Sequence, residues 1–242
     1  MTKFELFLMV RSPLSRLLGV LLLLTCGIVL PSGSHTNFLL KPFFQGVEVA
    51  QAVPAKAKSW DEVWTLLKQK KIRGGSRGGE VCPIAPARAF EVPQVWSDRP
   101  LFLWQGSLAR IEVTDEKGVP LWKKPVSKET ASIIYGGRSF QPGQTYLWKL
   151  FTNRFQLTPE YTLKFQMMEP QKRDRITADL TALDTQLKTK GATPEEIALQ
   201  RANYFVNQNL LSDALQEMYS VKDPSNTLKE IIQQTPSALC SR

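Results

Sequence analysis

A chain of 242 residues, 43% hydrophobic and with a net charge of +9, has enough apolar content for real cores and room for one large domain or two small ones. Its only histidine, His35, lies near the N-terminus, so the body lacks imidazole, which excludes Ser-His-Asp and Cys-His nucleophile systems and most zinc sites. The cationic excess suits attraction to anionic lipid or acidic wall polymer, or serves plain solubility.

Residues 1–52 read as a leader. Lys3, Arg11 and Arg16 precede an uncharged run of 14 residues, 17–30, which spans roughly 21 Å as a helix and falls short of the roughly 30 Å hydrocarbon core. Length therefore favours a signal peptide over a permanent span. The best small-x-small site, Ala50-Gln51-Ala52, lies 22 residues past the run, with a second apolar patch at 38–44 between them. Three versions stay open: a long signal peptide cut after Ala52, an uncleaved membrane anchor, or a lipoprotein joined through Cys26. Each exports the body to the periplasm, free or tethered. Four of the 31 basic and two of the 22 acidic side chains lie in this leader, leaving +7 on the remainder.

Export makes Cys82 and Cys240 a candidate disulfide, because they are an even pair in a compartment that permits one. The bridge closes a loop of over 150 residues and contributes on the order of 4 kcal/mol in the chain-entropy model.

Residues 53–83 hold a short polar tether, a helix and a loop. Ser59 with Glu62 forms a capping box, and Trp60, Val63, Trp64 and Leu67 share one face at helical spacing. That face docks on the sandwich or lies on a membrane surface, and its shortness favours docking. The stretch 72–80 has four glycines in six residues (74–79) and reads as a basic loop. Its Arg73 and Arg77 would suggest RNA contact in a cytoplasmic protein. Export removes that partner and leaves anionic lipid or glycan.

Between 84 and 169 the pattern is that of short strands. Residues 108–114 alternate, with Ala109, Ile111 and Val113 on one face and Arg110, Glu112 and Thr114 on the other. Asp115-Glu-Lys-Gly118 turns the chain into 119–123. Strands at 87–92, 101–105, 130–135, 144–151 and 161–168 bring the expectation to seven. Phe140-Gln-Pro-Gly-Gln-Thr-Tyr146 couples a Pro-Gly turn to a strand opened by a tyrosine, the signature of a tyrosine corner at Tyr146. Seven strands with such a corner predict an immunoglobulin-like β-sandwich. Trp96, Trp104, Trp122 and Trp148 fall in or beside these strands, where they fill a core or form a sugar-binding platform. Parity puts Trp148 with Tyr146 and Leu150, on the core side.

Residues 170–242 switch to helical period. Ile176, Leu180, Leu183 and Leu187 form a stripe ending at Gly191. Thr193-Pro-Glu-Glu196 opens a second helix by a capping box, with Ala198, Ala202 and Phe205 inside. A third covers 211–221, and a fourth runs from Asp223-Pro-Ser225 to about Gln234. The fold class is α+β: a seven-strand sandwich, an N-terminal amphipathic helix and a C-terminal four-helix appendage. The carboxylate pairs Asp61/Glu62, Asp115/Glu116 and Glu195/Glu196 each sit in a cap or turn that accounts for them.

Two resemblances follow from these residues. The segments Val95-Trp-Ser-Asp-Arg-Pro-Leu-Phe-Leu-Trp104, Gly118 to Trp122 and Phe140 to Trp148 resemble an immunoglobulin- or fibronectin-like module of exported cyanobacterial proteins. The resemblance covers about 75 residues, implies the fold and supplies no activity. Some members carry a further mid-domain cysteine, absent here, so it implies no bridge pattern. Ala202, Phe205 and Ala214, with Tyr204 and Pro224, are similar to part of a tetratricopeptide repeat, which implies a helical hairpin or a peptide-binding groove.

The expectation is a non-enzymatic, exported envelope protein acting as an adaptor or scaffold for a protein partner, with no catalytic residue, metal, cofactor or nucleic acid. Arg73, Arg77, Tyr204 and Phe205 are its candidate partner surface. A carbohydrate or wall-polymer binding module is the alternative, and an enzyme of another type the third.

Overall fold

The computed structural model describes residues 59–70, 81–87 and 91–240, all within one compact unit, Val49–Arg242. The leader, the tether, Arg73, Arg77 and their glycine loop lie outside the described residues.

Helix α1, Trp60–Gln69, starts where Ser59 Oγ accepts the Glu62 amide at 3.3 Å, with Asp61 and Glu62 in its first turn favouring the positive end of the dipole. Eight strands follow: β1 Cys82–Ala85, β2 Gln94–Val95, β3 Leu101–Gln105, β4 Arg110–Asp115, β5 Pro120–Pro125, β6 Ser132–Ile134, β7 Thr145–Phe151 and β8 Tyr161–Met167. They form two sheets, ordered β1-β3-β6 and β2-β8-β7-β4-β5. All pairings are antiparallel except β2 with β8.

The expected seven strands are thus eight, and the expected edge at 87–92 is replaced by β1 and β2 on either side of it; residues 88–90 lie outside the described residues. The reason is proline. Pro83 sits in β1 at the edge of its sheet, beside a register shift between Pro83 and Ala85, where a missing amide donor is tolerated. The two residues of β2 are too few to carry an alternation.

Inner faces of the two sheets meet in a core of Phe102 and Trp104 from β3, Ile111 and Val113 from β4, Trp148 and Leu150 from β7, and Phe165 from β8, all with no exposed surface. The Phe102 ring lies 5.0 Å from Trp148 and 6.0 Å from Phe165. Trp148 donates its indole N–H to the Pro86 carbonyl at 3.1 Å. Tyr146, also buried, accepts the Gln141 amide on its hydroxyl at 2.9 Å, which closes the loop between β6 and β7. Gly143 turns that loop with φ +75°, the left-handed conformation that favours glycine.

Four helices complete the chain: α2 Pro170–Thr189, α3 Pro194–Asn207, α4 Leu211–Ser220 and α5 Asn226–Cys240. They are a layer packed on the small sheet and not an appendage. The run Leu101-Phe-Leu-Trp104 explains why. Phe102 and Trp104 point into the sandwich while Leu101 and Leu103 point the other way, into a second core with Phe205, Leu215, Met218, Leu228 and Ile231. A strand apolar on both faces is a middle layer. Helix α1 joins this second core through Trp60, Val63, Trp64 and Leu67. It therefore docks on α3 and α5 and not on the sandwich, with the Trp60 indole donating to Glu195 Oε1 at 2.9 Å and Lys70 Nζ to the Val206 carbonyl at 2.6 Å.

Helix α5 runs six residues past the expected end at Gln234, straight through Pro236. Proline at that position leaves the Ile232 carbonyl without its helical donor. The Tyr219 hydroxyl of α4 donates to that carbonyl at 3.2 Å and makes good the loss. The continued helix carries Cys240 to Cys82, with the sulfurs at a bonding distance of 2.08 Å.

Candidate functional site

The most highly organised polar cluster among the described residues lies where the sandwich meets the helices, around the loop 96–100. This loop, Trp96-Ser-Asp-Arg-Pro100, leaves β2 and enters β3, so several of its backbone amides have no ladder partner. Side chains of α4 supply one. Asp213 accepts the Trp96 amide on both carboxylate oxygens at 3.1 Å and the Ser97 amide at 2.9 Å. Gln216, one turn on, accepts the Leu101 amide at 3.1 Å and donates to Ser97 Oγ at 3.0 Å and the Arg99 carbonyl at 3.2 Å. Residues three apart share a helix face, so one turn of α4 grips the whole loop.

Trp96 is the hub of the cluster. Its indole donates to Thr177 Oγ1 at 3.1 Å, its carbonyl accepts Arg173 Nε at 3.1 Å, and its ring lies 5.5 Å from Phe205. The guanidinium carbons of Arg173 and Arg201 stand 5.9 and 5.8 Å from the ring centre, within cation–π range. Arg201 is held in turn by Glu217 at 2.8 Å and Asp184 at 3.1 Å. Beside it the Tyr204 hydroxyl donates to Asp179 at 2.7 Å.

Burial dominates the electrostatics. Asp213, 3% exposed, is pushed up to about 7 by desolvation, with Glu217 adding repulsion and the Ser97 and Trp96 amides pulling the other way. Desolvation also raises Glu217, against the hydrogen bond and charge of Arg201. Burial works against the charge on Arg201, but Glu217 and Asp184 outweigh it and hold the guanidinium ionised. A second hub is Glu195. Burial alone would raise it, and the Ser225 hydroxyl and amide with the Trp60 indole bring it below the usual carboxylate range.

Asp213, Glu217 and Glu195 are each engaged by donors from their own chain, and these bonds orient the elements on one another, whereas Asp184 is engaged by Arg201 through Oδ2 alone and keeps Oδ1 buried without a hydrogen-bond partner. Among the described residues no group of His, Cys, Asp or Glu could hold a metal ion, and no helix is long and apolar enough to cross a membrane. Next to the cluster, α3 and the ends of α2 and α4 border a groove with Pro194, Ile197, Ala198 and Val221 as its apolar lining and charges of both signs around them, three bases including Arg201 and four acids including Glu217.

Of the sequence candidates, Phe205 is corrected: it has no exposed surface and packs under Trp96, so it cannot meet a partner. Tyr204 is half-buried and engaged with Asp179. Asp213, Gln216 and Arg201 escaped sequence reasoning. The available signal was Asp213 itself, a charge in the first turn of a helix whose flanking Leu211, Ala214 and Leu215 are apolar. No protein-family model, curated protein or solved structure matches this chain.

Proposed function

We propose that this is a non-catalytic, exported envelope protein that acts as an adaptor, binding a protein partner in the groove beside α3. The observation that carries this reading is the groove itself. Its apolar residues Ile197, Ala198 and Val221 between charges of both signs offer a polypeptide burial together with ion pairing, and the hydrogen-bonded Trp96–Asp213–Arg201 cluster steadies its walls. Export is supported by the apolar run at 17–30 and by a cysteine pair at bonding distance, which suits an oxidising compartment.

The two sheets are, in this reading, an immunoglobulin- or fibronectin-like module. Support comes from the strand order β1-β3-β6 and β2-β8-β7-β4-β5, in which the chain crosses after β1 from the first sheet to the second and the short β2 lies parallel to the last strand, and from the Tyr146 hydroxyl meeting the Gln141 amide. The rival, a wall-polymer binding module, would need tryptophans turned outward. Trp60, Trp64, Trp104 and Trp148 are buried, and Trp96 and Trp122 half-buried within the packing.

Pull-down from envelope extract with the chain from Val49 onward tests the adaptor. The expected result is a protein partner that Ile197→Asp releases. Retention on peptidoglycan with no protein recovered overturns the reading in favour of its rival.

A further inference from the structure

The loop from 152 to 160, between β7 and β8, is pinned from beneath while it holds two apolar side chains in water. Arg110 reaches under it and donates to three of its carbonyls: Asn153 at 3.2 Å, Arg154 at 2.7 Å and Gln156 at 2.7 Å. The guanidinium lies 3.6 Å from the centre of the Phe151 ring and is steadied by Glu112 at 2.9 Å. From above, Gln156 Oε1 accepts the Thr152 amide and hydroxyl at 3.1 and 3.2 Å, and Asn153 Oδ1 accepts the Phe155 amide at 2.9 Å. A hairpin connection needs only two to five residues or so, and a compact longer loop held by its own side chains is frequently functional.

On this frame Phe155 is 90% exposed and Leu157 96%, whereas the other large exposed apolar residues lie between 42% and 54%. Single exposed apolar residues are ordinary; two neighbours held outward by a rigid backbone are not. Size decides what covers them. Two such side chains offer roughly 400 Å² at most, about half of what each side of a stable protein interface buries. A bilayer needs no matching surface and takes a small convex apolar tip at the boundary between headgroups and acyl chains. Charge agrees: residues 153–159 contain Arg154 and no acid, and the adjoining strands carry Lys123, Lys124 and Lys149 against Glu112 and the loop's last residue, Glu160.

We propose that Phe155 and Leu157, with Arg154 beside them, form a membrane-insertion tip that docks this protein on an anionic lipid surface. The tip is separate from the groove, so Ile197→Asp leaves docking unchanged.

The test sediments the chain from Val49 onward, which contains both cores and the Cys82–Cys240 pair, with phosphatidylcholine vesicles containing about a third phosphatidylglycerol. Phe155→Ser combined with Leu157→Ser is expected to lower partition by on the order of tenfold to a hundredfold. Arg154→Glu is expected to lower it roughly tenfold on anionic vesicles and hardly at all on pure phosphatidylcholine. The replaced side chains touch little, so the melting temperatures of the variants should match that of the parent. As a second measurement on the full chain in the same anionic vesicles, the amides of 157 and 158 should exchange more slowly than in phosphatidylcholine alone. Equal partition of the double variant and the parent overturns the proposal, as does a parent that ignores both vesicles. Capture of an envelope protein through the tip, without vesicle binding, assigns it to a protein and overturns the proposal too.

Discussion

Between the two sheets, Phe102, Trp148, Phe165 and their neighbours fill the space with rings, and hydrogen bonds there are few. Between the small sheet and the helices, a buried carboxylate and a half-buried amide and guanidinium group border the leucines, and each meets donors or acceptors from another element. The first core is held by area removed from water, which is large and weakly directional. The second also needs direction, because a helix layer can slide on an apolar sheet. The bonds from Asp213 and Gln216 to one loop permit a single docking geometry. Volume therefore stabilises the sandwich, and matched polar pairs orient the helices on it.

The largest effect expected on this contrast is Trp148→Ala. Removing a ring with no exposed surface, and the donor to the Pro86 carbonyl, should cost about 3–5 kcal/mol in chemical denaturation. A loss below about 1 kcal/mol would show that the rings are not the source of sandwich stability. Next is the link across the two regions. Replacing Cys82 and Cys240 by serine should cost about 2–4 kcal/mol, because the bridge ties β1 to the end of α5. Thiol labelling of the parent before and after reduction checks the premise, and free thiols in the exported protein would refute it.

How much of each region was legible follows from the same contrast. In the sandwich the signals are local: alternation in 108–114, glycine at the 115–118 turn and Tyr146 after Pro142-Gly143 sit close in sequence, so the pattern could be read. The first strand was misplaced because Pro83 argues against a strand until its edge position is known. The junction is not local. The bonds from Asp213 to Trp96 and Ser97 span 117 and 116 residues, and nothing in either segment names the other. For the same reason Phe205, on the inner face of its helix, could still be taken for partner surface: the ring that covers it, Trp96, comes from the loop after β2, more than a hundred residues earlier. Pro236 read as a stop because its remedy, Tyr219, lies on another helix.

The junction makes its own pH prediction. Asp213 binds its proton more tightly when folded, up to about 7 against an ordinary 3.8. Its contribution to stability is therefore fully present below about pH 4 and is lost as pH rises through about 7. Glu217, raised in the same direction, adds a smaller slope of the same sign, tempered by Arg201. Asp213→Asn cannot ionise, so the stability difference between parent and variant should shrink steadily from pH 4.5 to 8. A difference that stays flat across that range would mean the buried carboxylate does not titrate there. Asp213→Ala, by contrast, strands the Trp96 and Ser97 amides and should cost about 2–3 kcal/mol at pH 5.

Smallest is Tyr219→Phe, which tests whether the polar pairing extends beyond the Asp213 loop. The phenol is pushed up to about 12 by burial, so it is a neutral donor at any working pH. Removing it keeps the ring and its packing, leaves the Ile232 carbonyl unanswered, since Pro236 cannot donate to it, and ends the contact with the Thr235 hydroxyl, which keeps the Ile231 carbonyl as its acceptor. The expected loss is about 1 kcal/mol. Restoring the helical donor by Pro236→Ala in the same chain should recover most of it, because the carbonyl then regains an amide four residues on. If Tyr219→Phe costs the same in the Pro236→Ala background as in the parent, the hydroxyl is not acting for proline's missing amide. The continuation of α5 to Cys240 would then rest on the disulfide and on the apolar contacts of Leu239.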